Sequence, residues 1–168
     1  MLDLTNAKAQ LIASTEPGTL VLYGVDATRY VGLCVSPNRD RDASRALVLF
    51  DYRDPDRRFS ALYWARIDGQ GCITLGAPRI AADPQILLTA PPAQDMNPGT
   101  LSVLPDGGFG ITAYVEGSEA TRTWNILTGE LVETPDAPLG LSGWQIGVAG
   151  LDGNFTALVK APMTSALG

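Results

Sequence analysis

Thirty of the 168 residues are glycine or proline, eighteen and twelve respectively, and they recur at short intervals along almost the whole chain. Inside a helix each glycine costs about 1 kcal/mol and each proline about 3 kcal/mol. Few stretches are long enough to bury a helical stripe, so the chain is left with short strands joined by turns. The apolar residues between the breakers agree. Thr19–Val25 is nearly continuously apolar, the pattern of a strand buried on both faces. Phe109–Val115 alternates, with Ile111, Ala113 and Val115 opposite Thr112 and Tyr114. Further strand-like runs are Arg29–Val35, Arg45–Arg53, Ser60–Ile67, Cys72–Leu75, Gln85–Thr89, Thr100–Leu104, Arg122–Ile126, Glu130–Glu133, Trp144–Val148 and Phe155–Lys160. The expected fold is all-β, a two-layer sandwich or bent barrel of roughly eleven short strands, with one short N-terminal helix. Trp124, Ile126, Trp144, Ile146, Val148, Ile111, Leu33 and Leu49 are the expected core.

The helix is placed over residues 3–14, where Asp3 or Thr5 offers a cap, alanines favour it, and Pro17-Gly18 stops the chain. Residues 1–17 thus form an N-terminal helix or arm. Ala90–Gly99 holds three prolines in ten residues and cannot sit in a central strand. It is read as a surface crossover between two β halves of one domain spanning 1–168, since neither half alone is long enough for a comfortable core.

No histidine occurs anywhere. That removes the Ser-His-Asp triad, the Cys-His pair, the facial iron triad and every histidine-bearing zinc site. The net charge of −6 argues against general nucleic-acid binding, since phosphate contact needs a positive face. The charge is uneven, however. Seven of the twelve basic residues lie between Arg39 and Arg66. No apolar run reaches the length of a membrane span, and the N-terminus lacks the apolar core of a secretory signal. Cys34 and Cys72 each sit in an apolar run and are read as buried, reduced thiols, which points to the cytoplasm.

Asp106-Gly-Gly-Phe109 with Thr112-Ala-Tyr-Val115 is echoed by Asp152-Gly-Asn-Phe155 with Thr156-Ala-Leu-Val159. The piece Leu104–Val132 also resembles a WD-repeat propeller blade in its Pro-Asp-Gly turn, its Trp124-Asn125 pair and its Thr128-Gly129 turn. It carries asparagine where that blade has aspartate, lacks the Gly-His pair, and does not recur at the propeller period. The likeness is therefore taken as shared hairpin chemistry, and no family is assigned.

Candidate chemistry is sparse. Gly140-Leu-Ser142-Gly-Trp144 lacks the last glycine of a nucleophile elbow, so Ser142 is a turn residue. Asp51, Asp54 and Asp56 do not match a calcium loop, and arginines stand beside them. No metal and no cofactor is expected. Phe50–Arg66 is the most unusual stretch, interleaving five aromatics with four arginines. Aromatics and arginine are what protein-binding hot spots favour. Tyr52, Arg57, Arg58, Tyr63 and Trp64 are the expected contacts, with the Asn38–Ser44 loop as a flap.

The reading is a non-catalytic intracellular accessory protein binding a peptide or protein segment, acidic ones included, on a β-sheet edge or groove. One alternative is a histidine-independent enzyme using carboxylate, arginine or tyrosine chemistry, for instance through Asp51, Asp54 or Asp106. Another is a structural or assembly subunit, with which a homodimer is compatible.

Overall fold

A computed structural model describes residues 4–25, 28–37, 44–50, 60–62, 67, 69–82, 98–132, 140–141 and 143–161. It is all-β and sandwich-like, without barrel closure. The strands are β1 (Lys8–Leu11), β2 (Leu20–Val25), β3 (Thr28–Val35), β4 (Ala46–Leu49), β5 (Ser60–Leu62), β6 (Gly71–Gly76) and β7 (Arg79–Ala82). They continue with β8 (Leu101–Val103), β9 (Phe109–Val115), β10 (Thr121–Asn125), β11 (Leu131–Val132), β12 (Gly140–Leu141), β13 (Trp144–Ala149) and β14 (Phe155–Lys160). The large sheet runs β1-β6-β2-β3-β4-β5-β9-β10-β11, with β8 also pairing β9 and β12 pairing β8. A second sheet of three strands runs β14-β13-β7. Among the described residues every pairing is antiparallel except β5 with β9, where Ser60 lies opposite Tyr114. No helix among the described residues is long and apolar enough to cross a membrane.

The apolar runs become strands buried on both faces. Along β4 all four residues are buried, and they divide between two cores by alternation. Ala46 and Val48 join Leu20, Leu33, Val35, Trp124, Trp144 and Ile146 in the larger core, which both sheets share. Leu47 and Leu49 join Val21, Tyr23, Cys34, Cys72 and Ile12 in a smaller core on the opposite face. All eight residues expected in the core are buried.

The sequence echo corresponds to one turn built twice. The Leu104 amide donates to Gly108 O (2.8 Å) and the Gly107 amide to Leu104 O (2.9 Å). The Gly150 amide likewise donates to Asn154 O (2.7 Å) and the Gly153 amide to Gly150 O (2.9 Å). In both turns an aspartate accepts the amide two residues on: Asp106 from Gly108 (2.8 Å) and Asp152 from Asn154 (3.0 Å). The Asn154 side chain adds a second bond to Asp152, and the two together hold its carboxyl below the usual carboxylate range.

The N-terminal helix is corrected in extent. Only Ile12–Ser14 is helical, as a single 3-10 turn, while Lys8–Leu11 is strand β1. A helix of two or three turns is marginal by itself, whereas an unpaired edge of β6 offers four residues a complete ladder. The Ala90–Gly99 crossover lies outside the described residues except for Pro98 and Gly99.

Candidate functional site

The expected contacts Tyr52, Arg57, Arg58, Tyr63 and Trp64 all lie outside the described residues, as do Asn38–Ala43, Asp51, Asp54 and Ser142. Their flanks are described. Phe50 is core, 2% exposed, and meets the Trp144 ring edge-on with centroids 6.3 Å apart. Strand β4 is paired by β3 and β5, and β5 by β4 and β9, so neither offers a free edge. Asp106, the described acid of the enzymatic alternative, is an exposed turn residue bonded to its own turn. Among the described residues no three cysteine or acidic side chains gather as a metal site.

Among the described residues β1 pairs on one side only, as does β11 at the other end of the large sheet. The four residues of β1 pair β6 antiparallel, with Lys8 opposite Thr74 and Leu11 opposite Gly71. The Ile12 amide donates to Gln70 O (3.0 Å) at the end of this ladder. Antiparallel bonding alternates, so residues 8, 10 and 12 bond inward. The amide and carbonyl of Ala9 and the amide of Leu11 then point outward. The Leu11 carbonyl is taken by the Thr15 hydroxyl (3.1 Å).

One face of this edge is apolar. Ile73 stands opposite Ala9 on one side and Leu22 on the other, and Leu22 stands opposite Val31. Cross-strand partners share a face. Leu22 and Val31 pack against the larger core, so the row climbs from that core to solvent. At its outer end Leu11 is 51% and Ile73 44% exposed. Among the described residues, the other exposed large apolar side chains are Leu4, just before β1, and the single turn residues Leu127 and Leu151. Natural edges are commonly guarded by charge, and here Lys8 is the only charged residue of β1.

Behind the strand, polar bonds fix its position. The Lys8 amide donates to Thr74 Oγ1 (3.2 Å), which donates back to Lys8 O (3.3 Å). The Gln10 side-chain amide donates to Thr15 Oγ1 (2.9 Å), and Arg45 Nε donates to Thr15 O (2.8 Å). Thr15 also touches both thiols: Cys72 Sγ lies 3.5 Å from its hydroxyl and Cys34 Sγ 3.6 Å from its carbonyl. Burial pushes the Cys34 thiol up to about 12, against the pull of the Arg45 guanidinium. Both cysteines are free and buried, and burial keeps the Cys34 thiol protonated near neutral pH, so this cluster is a structural anchor.

Sequence reasoning missed β1 because Leu4, Leu11 and Ile12 also fit a helical stripe. The overlooked signal is the two-residue alternation Lys8-Ala9-Gln10-Leu11. No protein-family model, curated protein or solved structure matches this chain.

Proposed function

We propose that this chain is a non-catalytic intracellular accessory protein that takes an extended peptide or protein segment onto the open edge of β1. The carrying observation is the coincidence of outward main-chain groups at Ala9 and Leu11 with the exposed row Leu11–Ile73. Main-chain hydrogen bonds would supply sequence-independent affinity, and the apolar row would select alternate side chains of the incoming strand. The two free, buried thiols suit a reducing compartment, and the cytoplasm is the proposed location. The arginine and aromatic stretch around Arg57 and Arg58 is proposed to pair with acidic residues of the same partner.

Panning the immobilised protein against a displayed random-peptide library tests this reading. Selected peptides are expected to alternate apolar residues. Ala9→Pro deletes an outward amide and leaves the inward bonds of residues 8 and 10 alone, so it is expected to abolish binding with little change in melting temperature. Arg57→Ala/Arg58→Ala is expected to weaken acidic peptides selectively. A library that yields no binders, or binders that Ala9→Pro retains at full affinity, overturns the edge site.

A further inference from the structure

We infer that the chain is an internal duplication, in which two copies of one β unit face each other across a pseudo-two-fold axis, so that the core between the halves is a fused homodimer interface. The units are residues 17–82 and 98–148. Each opens on the same four residues, Pro17-Gly18-Thr19-Leu20 and Pro98-Gly99-Thr100-Leu101. Gly18 and Gly99 take the same left-handed backbone, at φ 80° and 83°.

The hydrogen bonds repeat as well as the letters. The Gly18 amide donates to Cys34 O (2.8 Å) and the Cys34 amide to Thr19 O (2.9 Å). In the second unit the Gly99 amide donates to Thr112 O (2.8 Å) and the Thr112 amide to Thr100 O (3.2 Å). Leu20 pairs Leu33 as Leu101 pairs Ile111. Leu33 pairs Val48 as Ile111 pairs Trp124. Two residues beyond, the Phe50 amide donates to Val31 O (3.0 Å), and the Ile126 amide to Phe109 O (2.8 Å).

The strand order repeats too. In each unit the fifth strand returns to the free side of the first, giving β6-β2-β3-β4-β5 and β12-β8-β9-β10-β11. The sixth strands, β7 and β13, pair with each other antiparallel, with Ile80 opposite Ile146. Counting five residues back from each isoleucine reaches Leu75 and Leu141, both core residues. That pair therefore lies on the axis.

The contacts between units are reciprocal, as a two-fold demands. Ser60 of β5 pairs Tyr114 at the end of β9. The registers above make Ser36 the counterpart of Tyr114, and the Ser36 amide donates to Gly129 O (2.8 Å), next to the residue that matches Ser60. The larger core holds both members of each pair: Leu20 and Leu101, Leu33 and Ile111, Val48 and Trp124, Phe50 and Ile126. A recurrent turn motif accounts for one Pro-Gly. It does not account for concordant registers over five strands and a shared axis. The surface each unit buries is thus of the kind that fits a second copy of the same unit.

Two measurements on full-length chains test this. In the native protein, amide exchange followed by NMR should place Gly18 with Gly99, Cys34 with Thr112, Phe50 with Ile126 and Ser36 with Tyr114, each pair in one protection class. A Ser36 amide that exchanges as freely as an exposed loop, beside a protected Tyr114, overturns the inference. In a circular permutant that begins at residue 98, passes through a glycine–serine linker from residue 168 to residue 1 and ends at residue 97, the order of the units is exchanged. It should melt cooperatively within a few degrees of wild type and keep the same four paired protections. A permutant without a cooperative transition overturns it. Neither readout involves peptide binding at β1, so a failure here is distinct from failure of the proposed function.

Discussion

Trp144 joins the two sheets, and its replacement should separate the energy of its hydrogen bond from that of its bulk. The side chain is fully buried, its indole N–H donates to Gly99 O at 3.0 Å, and Phe50 meets the ring edge-on. Trp144→Phe keeps an aromatic ring but removes the donor, leaving a half-buried carbonyl without that partner at about 1–2 kcal/mol. The missing atoms leave a void of about 40 Å³, worth roughly another 1 kcal/mol. The expected loss is therefore about 2–3 kcal/mol. Trp144→Ala also loses the ring contact and most of the buried area, for about 5 kcal/mol. At roughly 2–4 °C per kcal/mol for a chain of this size, the phenylalanine variant should melt about 5–10 °C lower. Urea unfolding followed by far-UV circular dichroism measures both, and a cycle with Phe50→Leu isolates the ring–ring part at about 0.5–1.5 kcal/mol. If Trp144→Phe unfolds within about 0.5 kcal/mol of wild type, the assignment of stability to the Gly99 bond is wrong.

Two further expectations follow from backbone crowding and from burial. A Cβ at Gly129 would lie 2.4 Å from Gly18 N and 2.8 Å from Cys34 O, whereas at Gly117 it would meet nothing, though both residues have positive φ. Gly117→Ala should therefore cost only the left-handed backbone, about 1 kcal/mol, and Gly129→Ala at least twice that, as compared by urea midpoints. The Cys34 thiol is raised from its ordinary 9.0 to about 12 in the folded state. Its contribution to stability is complete below pH 9 and is lost as pH rises from about 9 to about 12. Cys34→Ala should flatten that part of the stability–pH curve, and an unchanged slope would show that the thiol titrates alike in the folded and unfolded states.

The fold was legible wherever local pattern and tertiary demand coincide. The apolar run Thr19–Val25 announced burial on both faces, which Leu20 in one core and Val21 and Tyr23 in the other fulfil, and the alternation in Phe109–Val115 announced a strand with two unlike faces. What escaped is short and depends on pairing. Strands β1, β7 and β12 have two to four residues each, too short for any alternation to outweigh local propensity, and they exist because β6, β13 and β8 present edges to them. These short strands account for the difference between the roughly eleven expected and the fourteen among the described residues. At residues 3–14 propensity pointed to helix, but the ladder on β6 overrode it. The site was less legible because its determinants are backbone groups, which every residue carries. Only the topology shows which of them lie at an edge.

Comparison of the two units argues for where partner binding resides. Residues equivalent in both, such as Leu20 and Leu101 or Leu33 and Ile111, answer to the shared core. On the opposite face the units diverge. The first carries Val21, Tyr23, Cys34, Leu47 and Leu49 under Ile12, and the same registers in the second carry Ser102, Leu104, Thr112, Thr123 and Asn125. The second face satisfies itself: Thr112 bonds Thr123 at 2.9 Å, and Asn125 accepts the Leu127 amide at 2.9 Å. The first face instead needed a cover, and the segment that supplies Ile12 also lays β1 along β6. The open apolar edge is thus a by-product of covering a face that the second unit made polar. The first unit is also longer where its arginines and aromatics lie: twenty-four residues separate Phe50 from Leu75, against fourteen between Ile126 and Leu141. The second unit adopts the common strand order without either addition. Both additions lie with the first unit, β1 against its strand β6 and the Arg57–Arg58 stretch within its sequence, and that is the half that carries the proposed partner site.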